Sequence, residues 1–390
     1  MKKVCIVRQG YFPLDPRVRK EALALIEKGF QVDLICLTGP RQEGQKRIDF
    51  DKGVNIYRIP VSRIRGGPVR YAIQYIAFFL LATIKLCSLY FRNRYDFIQI
   101  NTLPDFLVFV AIVPKLFGAK VVLDLHEPTL ELYGSKFGAK KNLVSRIISF
   151  VEQASIRFAD RAITVSEEMK QKYVSKGADP SKITVVVNVP SMEFRQEDYQ
   201  ELYNKKSKRF SLMCHGAILK RYGQDLAIKA VDLLKEEIPN IHLDITGMGD
   251  SFEDELKKLV QQLDLKEHVQ FHGLVPFDNM VKLLAKTDIG LVPVQKNPYS
   301  DLVHTNKMFE FIAMKKPVVI TRTRAVEGFY GSDDSCIKFF ESGNEKELAK
   351  CILELYKAPE KREDMVIKAF EKFKTVQWDV LKEVYCGLFI

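Results

Sequence analysis

Short apolar runs alternate with amphipathic helical patterns along most of the chain. Runs such as VCIVRQ, QVDLICL, AKVVLDLH and RAITVS are rich in β-branched residues, and helix-forming segments separate them. Buried strands connected by helices are typical of a parallel sheet with helices on both faces. The alternation stops near residues 190–208, which are polar and dense in charge, and it resumes at FSLMCHG. The pattern therefore predicts two doubly wound α/β domains.

The change in pattern also places the domain boundaries. We assign residues 1–190 to an N-terminal Rossmann-like domain, 191–208 to a linker and 209–370 to a second Rossmann-like domain. We expect residues 371–390 to form a helix that packs back on the N-terminal domain. Ligands of open α/β sheets bind beyond the carboxyl ends of the strands. The two sheets should therefore face a central cleft, with the functional loops following the strands.

One segment, residues 71–91, is apolar enough to cross a membrane. A span would separate the strand at 3–8 from the strand at 96–101, although both are expected in one sheet, so we reject it. Polar residues of the segment fall on one narrow stripe, so its other faces belong to the core or to a surface that docks in lipid headgroups. A core helix is the simpler interpretation. Arginines within residues 63–94 support contact with an anionic membrane as the alternative.

Composition narrows the class of protein. Seven scattered cysteines without a CxxC pair suggest neither a zinc site nor a disulfide framework. The N-terminus lacks the apolar core of a signal peptide, so we expect a cytoplasmic protein. A net charge of +11 favours anionic partners. Basic residues are spread along the chain and not clustered with aromatic ones, which weighs against nucleic acid.

The stretch HTNKMFEFIAMKKPVVIT, residues 304–321, carries the first candidate chemistry. Thr305 can cap a helix whose first turn contains Asn306 and Lys307. Lys307 and Glu310 are three residues apart and lean together toward the helix N-terminus, where free amide groups attract anions. An ammonium there suits a phosphate, and a carboxylate one turn deeper suits a diol such as a ribose. The alternative is a solvated ion pair on an exposed helix.

Three loops of the second half add to this candidate site. HGAILKRYGQ places Arg221 and Gly223 between the first strand and a helix, although a basic solvent loop is the plain alternative. Gly247 and Gly249 end the next strand, most simply as a tight turn. Gly273 ends a third strand, where backbone groups could contact a base. Together these loops suit a nucleotide diphosphate.

The order of these stretches resembles a known family. FSLMCHGAILKRYGQDLAIKA, HLDITGMGD, VQFHGLVPF and NKMFEFIAMKKPVVIT look like the donor-binding domain of family 4 retaining glycosyltransferases of GT-B architecture. FPLDPRVRKEALALIEKGF, LDLHEPTLELYG and ITVVVNVP resemble that family's acceptor domain. The likeness runs from residue 3 to about residue 385. It implies a nucleotide-diphosphate sugar as donor, a glycan or lipid-linked acceptor, retention of configuration and no metal or other cofactor.

The resemblance also implies roles for single residues. Glu310 matches the second glutamate of the family's Glu-x7-Glu motif, which holds the donor ribose. Arg221 lies where the family has a phosphate-binding lysine, Lys307 lies near the diphosphate, and His126 matches a histidine near the transferred sugar. The candidate residues are catalytic His126, Arg221 and Lys307; donor-binding Glu310, Asn306, Thr305, Gly273, Leu274, Gly216 and Gly247; and acceptor-side Gly10, Tyr11, Asp15 and Arg17.

The sequence departs from the family pattern at several positions. Leu302 stands in place of the first motif glutamate, with Asp301 one place away, and His215 and Ala217 replace the usual Gly-Arg context. Lys315 occupies a helix end where glycine is usual, at a cost of roughly 1 kcal/mol if its backbone is left-handed. These changes suggest altered sugar selection or weak activity. A nucleotide-sugar-binding scaffold, or an epimerase-like protein on the same architecture, is the alternative function.

Overall fold

The computed structural model describes residues 1–39, 47–61, 68–137, 143–190 and 209–390. The chain forms two compact units, Met1–Asn188 with Asp379–Ile390, and Val189–Trp378. The predicted linker at 191–208 lies outside the described residues. The predicted final helix is divided, because one helix ends at Lys374 and the next begins at Trp378.

Among its described residues, the first unit has an eight-stranded sheet in the order β3-β4-β2-β1-β5-β6-β7-β8. The strands are β1 Lys3–Arg8, β2 Gln31–Leu37, β3 Ile48–Asp51, β4 Val54–Ile59, β5 Phe97–Asn101, β6 Lys120–Asp124, β7 Arg161–Thr164 and β8 Ile183–Val185. The helices are α1 Pro16–Glu27, α2 Pro68–Asn93, α3 Ile112–Leu116, α4 Thr129–Phe137, α5 Leu143–Phe158 and α6 Glu167–Ser175, with 3-10 turns at Asp105–Ala111 and Pro180–Lys182.

The second unit has a six-stranded sheet in the order β11-β10-β9-β12-β13-β14. The strands are β9 Phe210–His215, β10 Ile241–Thr246, β11 Val269–Gly273, β12 Ile289–Val292, β13 Val318–Thr321 and β14 Lys338–Phe340. The helices are α7 Gln224–Leu234, α8 Ser251–Gln262, α9 Phe277–Lys286, α10 Asn306–Ala313, α11 Arg324–Tyr330, α12 Glu345–Lys357 and α13 Pro359–Lys374, and α14 Trp378–Cys386 continues into the first unit.

Both sheets are doubly wound, which confirms the predicted fold class. Their central strands are continuous apolar runs, as expected for strands covered by helices on both faces; β12, for example, is buried at every position. Strand order reverses between β1 and β5 in the first unit and between β9 and β12 in the second. These reversals are the points at which doubly wound sheets bind ligands. One strand was not predicted, because β3 is a short antiparallel edge strand with polar residues at alternate positions.

Helix α2 differs from the expectation of a core helix. Its buried stripe contains Gln74, Phe78, Ala82 and Leu86, and Lys85 packs over the ring of Tyr57. Gln74 and Lys85 of the polar stripe therefore face the protein, and six large apolar side chains of the helix are exposed, namely Ile73, Ile76, Leu80, Leu81, Ile84 and Phe91. Only 28% of the most apolar stretch is buried. The core interpretation is wrong for most of this helix.

By length and composition, Arg70–Asn93 could cross a membrane. The sheet argues against this. Strand β1 pairs with β5, which follows α2, and with β2, which precedes α2 and pairs with β4. A spanning helix would place strands of one sheet on opposite sides of the bilayer. The exposed apolar face of α2 therefore needs another explanation.

Candidate functional site

Three glycines line the carboxyl edge of the second sheet. Gly216 follows β9, Gly247 follows β10 and Gly273 ends β11. Each has a positive φ, at +96°, +132° and +66° respectively. A Cβ on Gly247 would lie 1.8 Å from the carbonyl oxygen of Gly216, so the two loops pack backbone against backbone. Only glycine permits that approach together with this conformation.

Lys307, in the first turn of α10, lies across the loop that follows β9. A Cβ on Gly216 would lie 2.5 Å from its Cε. Its ammonium nitrogen is 3.5 Å from the centre of the Tyr222 ring, and the Arg221 guanidinium carbon is 5.0 Å from the same ring. Both predicted phosphate-binding cations therefore contact Tyr222. Burial lowers the pKa of Lys307, and the nearby Arg221 lowers it further.

Glu310 lies one turn deeper in α10. Its Oε2 is 3.3 Å from Nδ1 of His215, the last residue of β9. Burial raises the pKa of Glu310 to about 7, and Lys307 opposes that shift. Burial also lowers the pKa of His215 to about 3, and Lys307 adds to the lowering. At neutral pH His215 is therefore neutral, and the carboxyl of Glu310 is poised between its two protonation states.

The start of α10 differs in one respect from the expectation. Thr305 occupies the N-cap position with extended backbone, but its side chain accepts no hydrogen bond from the first-turn amides of this helix. The first-turn amides at Asn306 and Lys307 thus lack a side-chain cap. Met308, Phe309, Phe311 and Ile312 are buried as predicted. The helix is therefore fixed by its apolar face, and its N-terminus retains donors for an anion.

The remaining donor-side candidates lie at the edge of β11. The Gly247 amide donates to the Gly273 carbonyl over 2.8 Å. A Cβ on Gly273 would meet no atom within 4 Å, and Leu274 is 74% exposed. This edge therefore offers open space and an apolar side chain. Such a surface could accept the face of a base.

In the first unit, the strand-order reversal carries a buried polar network. Arg17 donates from Nε to Glu21 over 3.0 Å and pairs with Asp124 through Nη2. Asn101, at the end of β5, donates to Asp124 over 2.8 Å and to Glu21 over 3.2 Å. His126 Nε2 lies 2.8 Å from Asp124 Oδ2. The structure thus brings predicted His126 and Arg17 into one network.

The charges in this network are tuned by burial. Burial lowers the pKa of His126 well below its usual range, and Arg17 and Arg8 lower it further, so the imidazole is neutral. Burial and Asp124 raise the pKa of Glu21 to about 7. Glu21, Asp124 and His126 are close enough together to suggest a metal site. However, all four carboxylate oxygens already accept hydrogen bonds or ion pairs from Arg17, Gln99, Asn101 or His126, so the group functions as a hydrogen-bond network.

The other acceptor-side candidates support the first loop. Asp15 caps α1 by accepting from the Val18 amide over 3.3 Å, and it pairs with Arg8 over 3.1 Å. The carbonyls of Gly10 and Tyr11 accept from the amides of Leu37 and Asp15. The structure therefore gives Gly10, Tyr11 and Asp15 roles in holding this loop.

Comparisons with known proteins agree with this geometry. Residues 14–188 match a model described as glycosyl transferase 4-like domain, and residues 195–372 match one described as glycosyl transferases group 1. The chain belongs to the family 4-like glycosyltransferases of GT-B architecture. The two matches meet near the boundary between the two units.

The relatives of this glycosyltransferase include proteins that are themselves named as glycosyl transferases. It is 27% identical over 223 residues to "Putative colanic acid biosynthesis glycosyl transferase WcaI" of Escherichia coli (strain K12), covering 54% of this chain and 53% of that one. The chain thus spans about half the length of that relative. It is 23% identical over 379 residues to chitobiosyldiphosphodolichol beta-mannosyltransferase of Candida albicans, covering 91% and 81%. The structure of Anabaena HepE in complex with UDP superposes with a TM-score of 0.72 at 14% identity, covering 100% of this chain and 99% of that one, and it supports the fold.

The structure shows the surroundings of the residues at which this glycosyltransferase departs from the family pattern. Leu302 is buried, and the Asp301 carboxylate accepts from the Arg324 amide over 3.1 Å at the start of α11. His304, next to the N-cap of α10, contacts the Ala325 carbonyl through Nε2 over 2.9 Å. Lys315 has a φ of +49°, so it does occupy the left-handed conformation.

Sequence reasoning missed four residues of these sites in the glycosyltransferase. Tyr222 contacts the ammonium of Lys307, and His215 contacts the carboxylate of Glu310. Glu21 and Asn101 belong to the network around Asp124. His215 and Asn101 do carry a signal, because each is the last residue of a strand next to the reversal of strand order. Glu21 carries none, since it lies within an ordinary amphipathic helix.

Proposed function

We propose that this protein transfers a sugar from a nucleotide-diphosphate sugar to a glycan or lipid-linked acceptor, with retention of configuration. The observation that carries the proposal is the meeting of Lys307 and Arg221 at the ring of Tyr222, beside the uncapped start of α10. Glu310 lies one turn deeper in the same helix, where its carboxylate would accept from the ribose hydroxyl groups. The strand order reverses between β9 and β12, and doubly wound sheets bind ligands at such reversals, which supports this placement of the donor.

The chemistry of the step follows from the charge of the leaving group. A nucleotide diphosphate departs with growing negative charge, which preorganised cations and amide dipoles stabilise. Lys307, Arg221 and the amides at Asn306 would supply this stabilisation, so the proposal includes no metal or other cofactor. His126 and Arg17 would act on the acceptor side, with neutral His126 near the reacting sugar.

The base and sugar are proposed from the comparisons. HepE is solved with UDP, so uridine diphosphate is the first nucleotide to test. The names of the relatives favour an acceptor in envelope glycan or lipid-linked saccharide synthesis. Leu302 gives no carboxylate to the sugar, and Asp301 already accepts from the Arg324 amide. A sugar that does not need that carboxylate is therefore proposed.

The deciding experiment is a donor screen that reads release of nucleotide diphosphate, with and without lipid-linked acceptors. Thermal shift with UDP, GDP and ADP runs in parallel. A transferase gives a new glycoside and free nucleotide diphosphate. Conversion of the donor sugar without release would indicate an epimerase, and binding without turnover of any donor would indicate a scaffold. The Glu310→Ala variant should bind nucleotide more weakly, and equal binding would contradict the ribose assignment.

We also propose that the protein works in the cytoplasm, peripherally bound to an anionic membrane through α2. Six large apolar side chains of α2 are 39–68% exposed. The helix contains no acidic residue, and Arg70, Arg92 and the adjacent Arg94 are exposed. Apolar side chains flanked by arginines match the headgroup layer of anionic lipids.

Helix α5 presents a second surface of the same kind. Leu143, Val144, Ile147 and Phe150 are 45–72% exposed, and Glu152, the helix's one acidic residue, is buried. Both helices pack on the 3-10 segment Asp105–Ala111, so they flank one element of the first unit. Two apolar faces on neighbouring helices support a docking surface for lipid.

Sedimentation with vesicles tests the docking surface. Wild-type protein should bind phosphatidylglycerol vesicles at low salt and bind pure phosphatidylcholine vesicles much less. The Leu80→Ser/Ile84→Ser variant should lose most of this binding, whereas the control Leu233→Ser/Ile367→Ser, which removes exposed apolar side chains from the second unit, should retain it. Equal binding by both variants would contradict the role of α2.

A further inference from the structure

His215 is a buried imidazole at the edge of the donor-side site. It is 4% exposed, and its ring packs edge-to-face on Phe311 with 4.7 Å between centroids. Phe311 is itself fixed, since a Cβ on Gly290 of β12 would lie 2.4 Å from its ring. The imidazole therefore has little freedom to turn. Its Nδ1 is held 3.3 Å from Oε2 of Glu310.

The protonation states decide what this contact can do. Burial and Lys307 keep the imidazole neutral, with a pKa of about 3, so one ring nitrogen carries hydrogen and the other is a bare acceptor. An ionised carboxylate only accepts, so the hydrogen belongs on Nδ1, where it faces Glu310 and also the backbone of Lys307, with which the imidazole is hydrogen-bonded. Nε2 is then the acceptor, and it is buried with no hydrogen-bond partner among the described residues.

Glu310 needs such a donor. Burial raises its pKa to about 7, and the ionisable groups that face it, among the described residues, are Lys307 on its own helix and His215 on β9. The neighbours of Lys307 add Tyr222, Cys214 and Arg221. Of these groups, Lys307 is also expected to bind phosphate, so it cannot serve Glu310 alone. To accept hydrogen bonds from hydroxyl groups, the carboxyl of Glu310 must be ionised and correctly oriented.

We propose that His215 is a positioning residue that keeps Glu310 ionised and oriented to accept the ribose hydroxyl groups of the donor nucleotide. The inference rests on the proposed function. Its effect is indirect, because His215 acts through Glu310 and does not itself touch the donor. This role would also explain why the chain has a histidine at position 215, where the family pattern differs.

The test compares UDP with 2′-deoxy-UDP by calorimetry at pH 6.5, 7.5 and 9. In wild type, loss of the 2′-hydroxyl should weaken binding roughly tenfold. His215→Phe keeps the packing on Phe311 but removes the donor. It should bind UDP roughly tenfold more weakly at pH 7.5, with little discrimination against 2′-deoxy-UDP. The loss should shrink at pH 9, where Glu310 ionises without help. His215→Asn, which can still donate, should recover most of the affinity.

The outcomes separate this inference from the proposed function. Thermal unfolding of each variant establishes that it is folded. If wild type binds neither UDP, GDP nor ADP, the proposed function fails. If wild type binds UDP and His215→Phe keeps both affinity and discrimination, the role of His215 is refuted. A loss that is equal at every pH and for both nucleotides would assign His215 to packing only and would equally overturn the inference. Should the donor screen select guanine or adenine, the same comparison uses that diphosphate and its 2′-deoxy form.

Discussion

The ammonium nitrogen of Lys307 lies 3.5 Å from the centre of the ring of Tyr222, a residue of the loop that follows β9. A cation so close to an aromatic face is stabilised by the ring's quadrupole, and partial desolvation strengthens the attraction. The ring therefore holds a half-buried ammonium, and Glu310 is the carboxylate that acts on it among the residues that the structure describes. An incoming diphosphate would offer that ammonium a stronger partner.

Replacing Lys307 with methionine should weaken binding of nucleotide diphosphate about ten- to hundredfold, because a charged hydrogen bond contributes about 1.5–3 kcal/mol. The unfolding temperature should stay the same or rise, since the variant no longer buries an ammonium. Calorimetry with the nucleotide selected by the donor screen measures the effect. The control is Lys229→Met, which removes a half-exposed lysine of α7. Similar affinities for the two variants would contradict the assignment.

Alanine substitutions at two glycines distinguish the effect of backbone strain from the effect of displacing Lys307. Gly216 has a φ of +96°, and a Cβ there would meet Lys307, whereas Gly343 has a φ of +79° and open space around it. Both alanine variants should lose about 1–2 kcal/mol of stability, the cost of a left-handed non-glycine residue. Only Gly216→Ala should also displace Lys307 and weaken nucleotide binding. Equal binding by both variants would show that Lys307 can move without loss.

The residues that the sequence predicts well are those whose role is local. The alternation of apolar runs predicts both sheets, and the glycines after β9, β10 and β11 mark the edge where the loops meet. The face of α2 could not be predicted in this way. A polar stripe usually faces water, but Gln74 is buried and Lys85 packs over Tyr57. Periodicity gives the stripe and leaves open which side the sheet covers.

Contacts between residues far apart in the sequence could not be predicted either. His215 and Glu310 are 95 positions apart, and only the order of strands brings them to 3.3 Å. Glu21 enters the network of the first unit because α1 packs over the ends of β5 and β6, which no local pattern encodes. Lys315 is the opposite case, since its place at the end of a helix already suggested a left-handed backbone.

Replacing Lys315 with glycine should stabilise the second unit. Its φ of +49° is strained for lysine and relaxed for glycine, so the expected gain is up to about 1 kcal/mol, reduced by loss of the Lys315 contact with the Phe370 ring. Thermal unfolding measures the change. Lys315→Ala is the matched control, because it removes the same contact and keeps the strain. Glycine should exceed alanine in stability, and the reverse order would rule out strain at this position.

The pH dependence of stability tests the environment of Glu310. Its pKa is about 7 in the folded protein, against about 4.3 when unfolded. A carboxyl with a raised pKa stabilises the fold fully below about pH 4.3 and loses that contribution as the pH rises toward 7. Wild type should therefore lose about 1–3 kcal/mol relative to Glu310→Gln between pH 4.5 and 7.5. The lowered pKa of His215 makes stability rise with pH. This contribution is present in both wild type and Glu310→Gln, so it largely cancels in the comparison. Parallel stability curves would argue against a buried, raised carboxyl.

Helix α14 offers a comparison between a buried hydrogen bond and an exposed ion pair. Tyr385 is fully buried and donates to Gln99 Oε1 over 2.5 Å, and Gln99 in turn donates to Glu21. Tyr385→Phe leaves that oxygen buried without its donor, at a cost of about 1–3 kcal/mol.

On the same helix, Glu383 pairs with Lys28 over 2.7 Å, but both side chains are largely exposed, at 60% and 41%. Glu383→Gln should therefore change stability by well under about 1 kcal/mol. Thermal unfolding of the first unit should show a drop of roughly 2–4 °C per kcal/mol for Tyr385→Phe and almost none for Glu383→Gln. Comparable shifts would mean that α14 is held by its surface charges. A much larger drop for Tyr385→Phe would show instead that the Tyr385 hydroxyl supports the network that contains Arg17, Asp124 and His126.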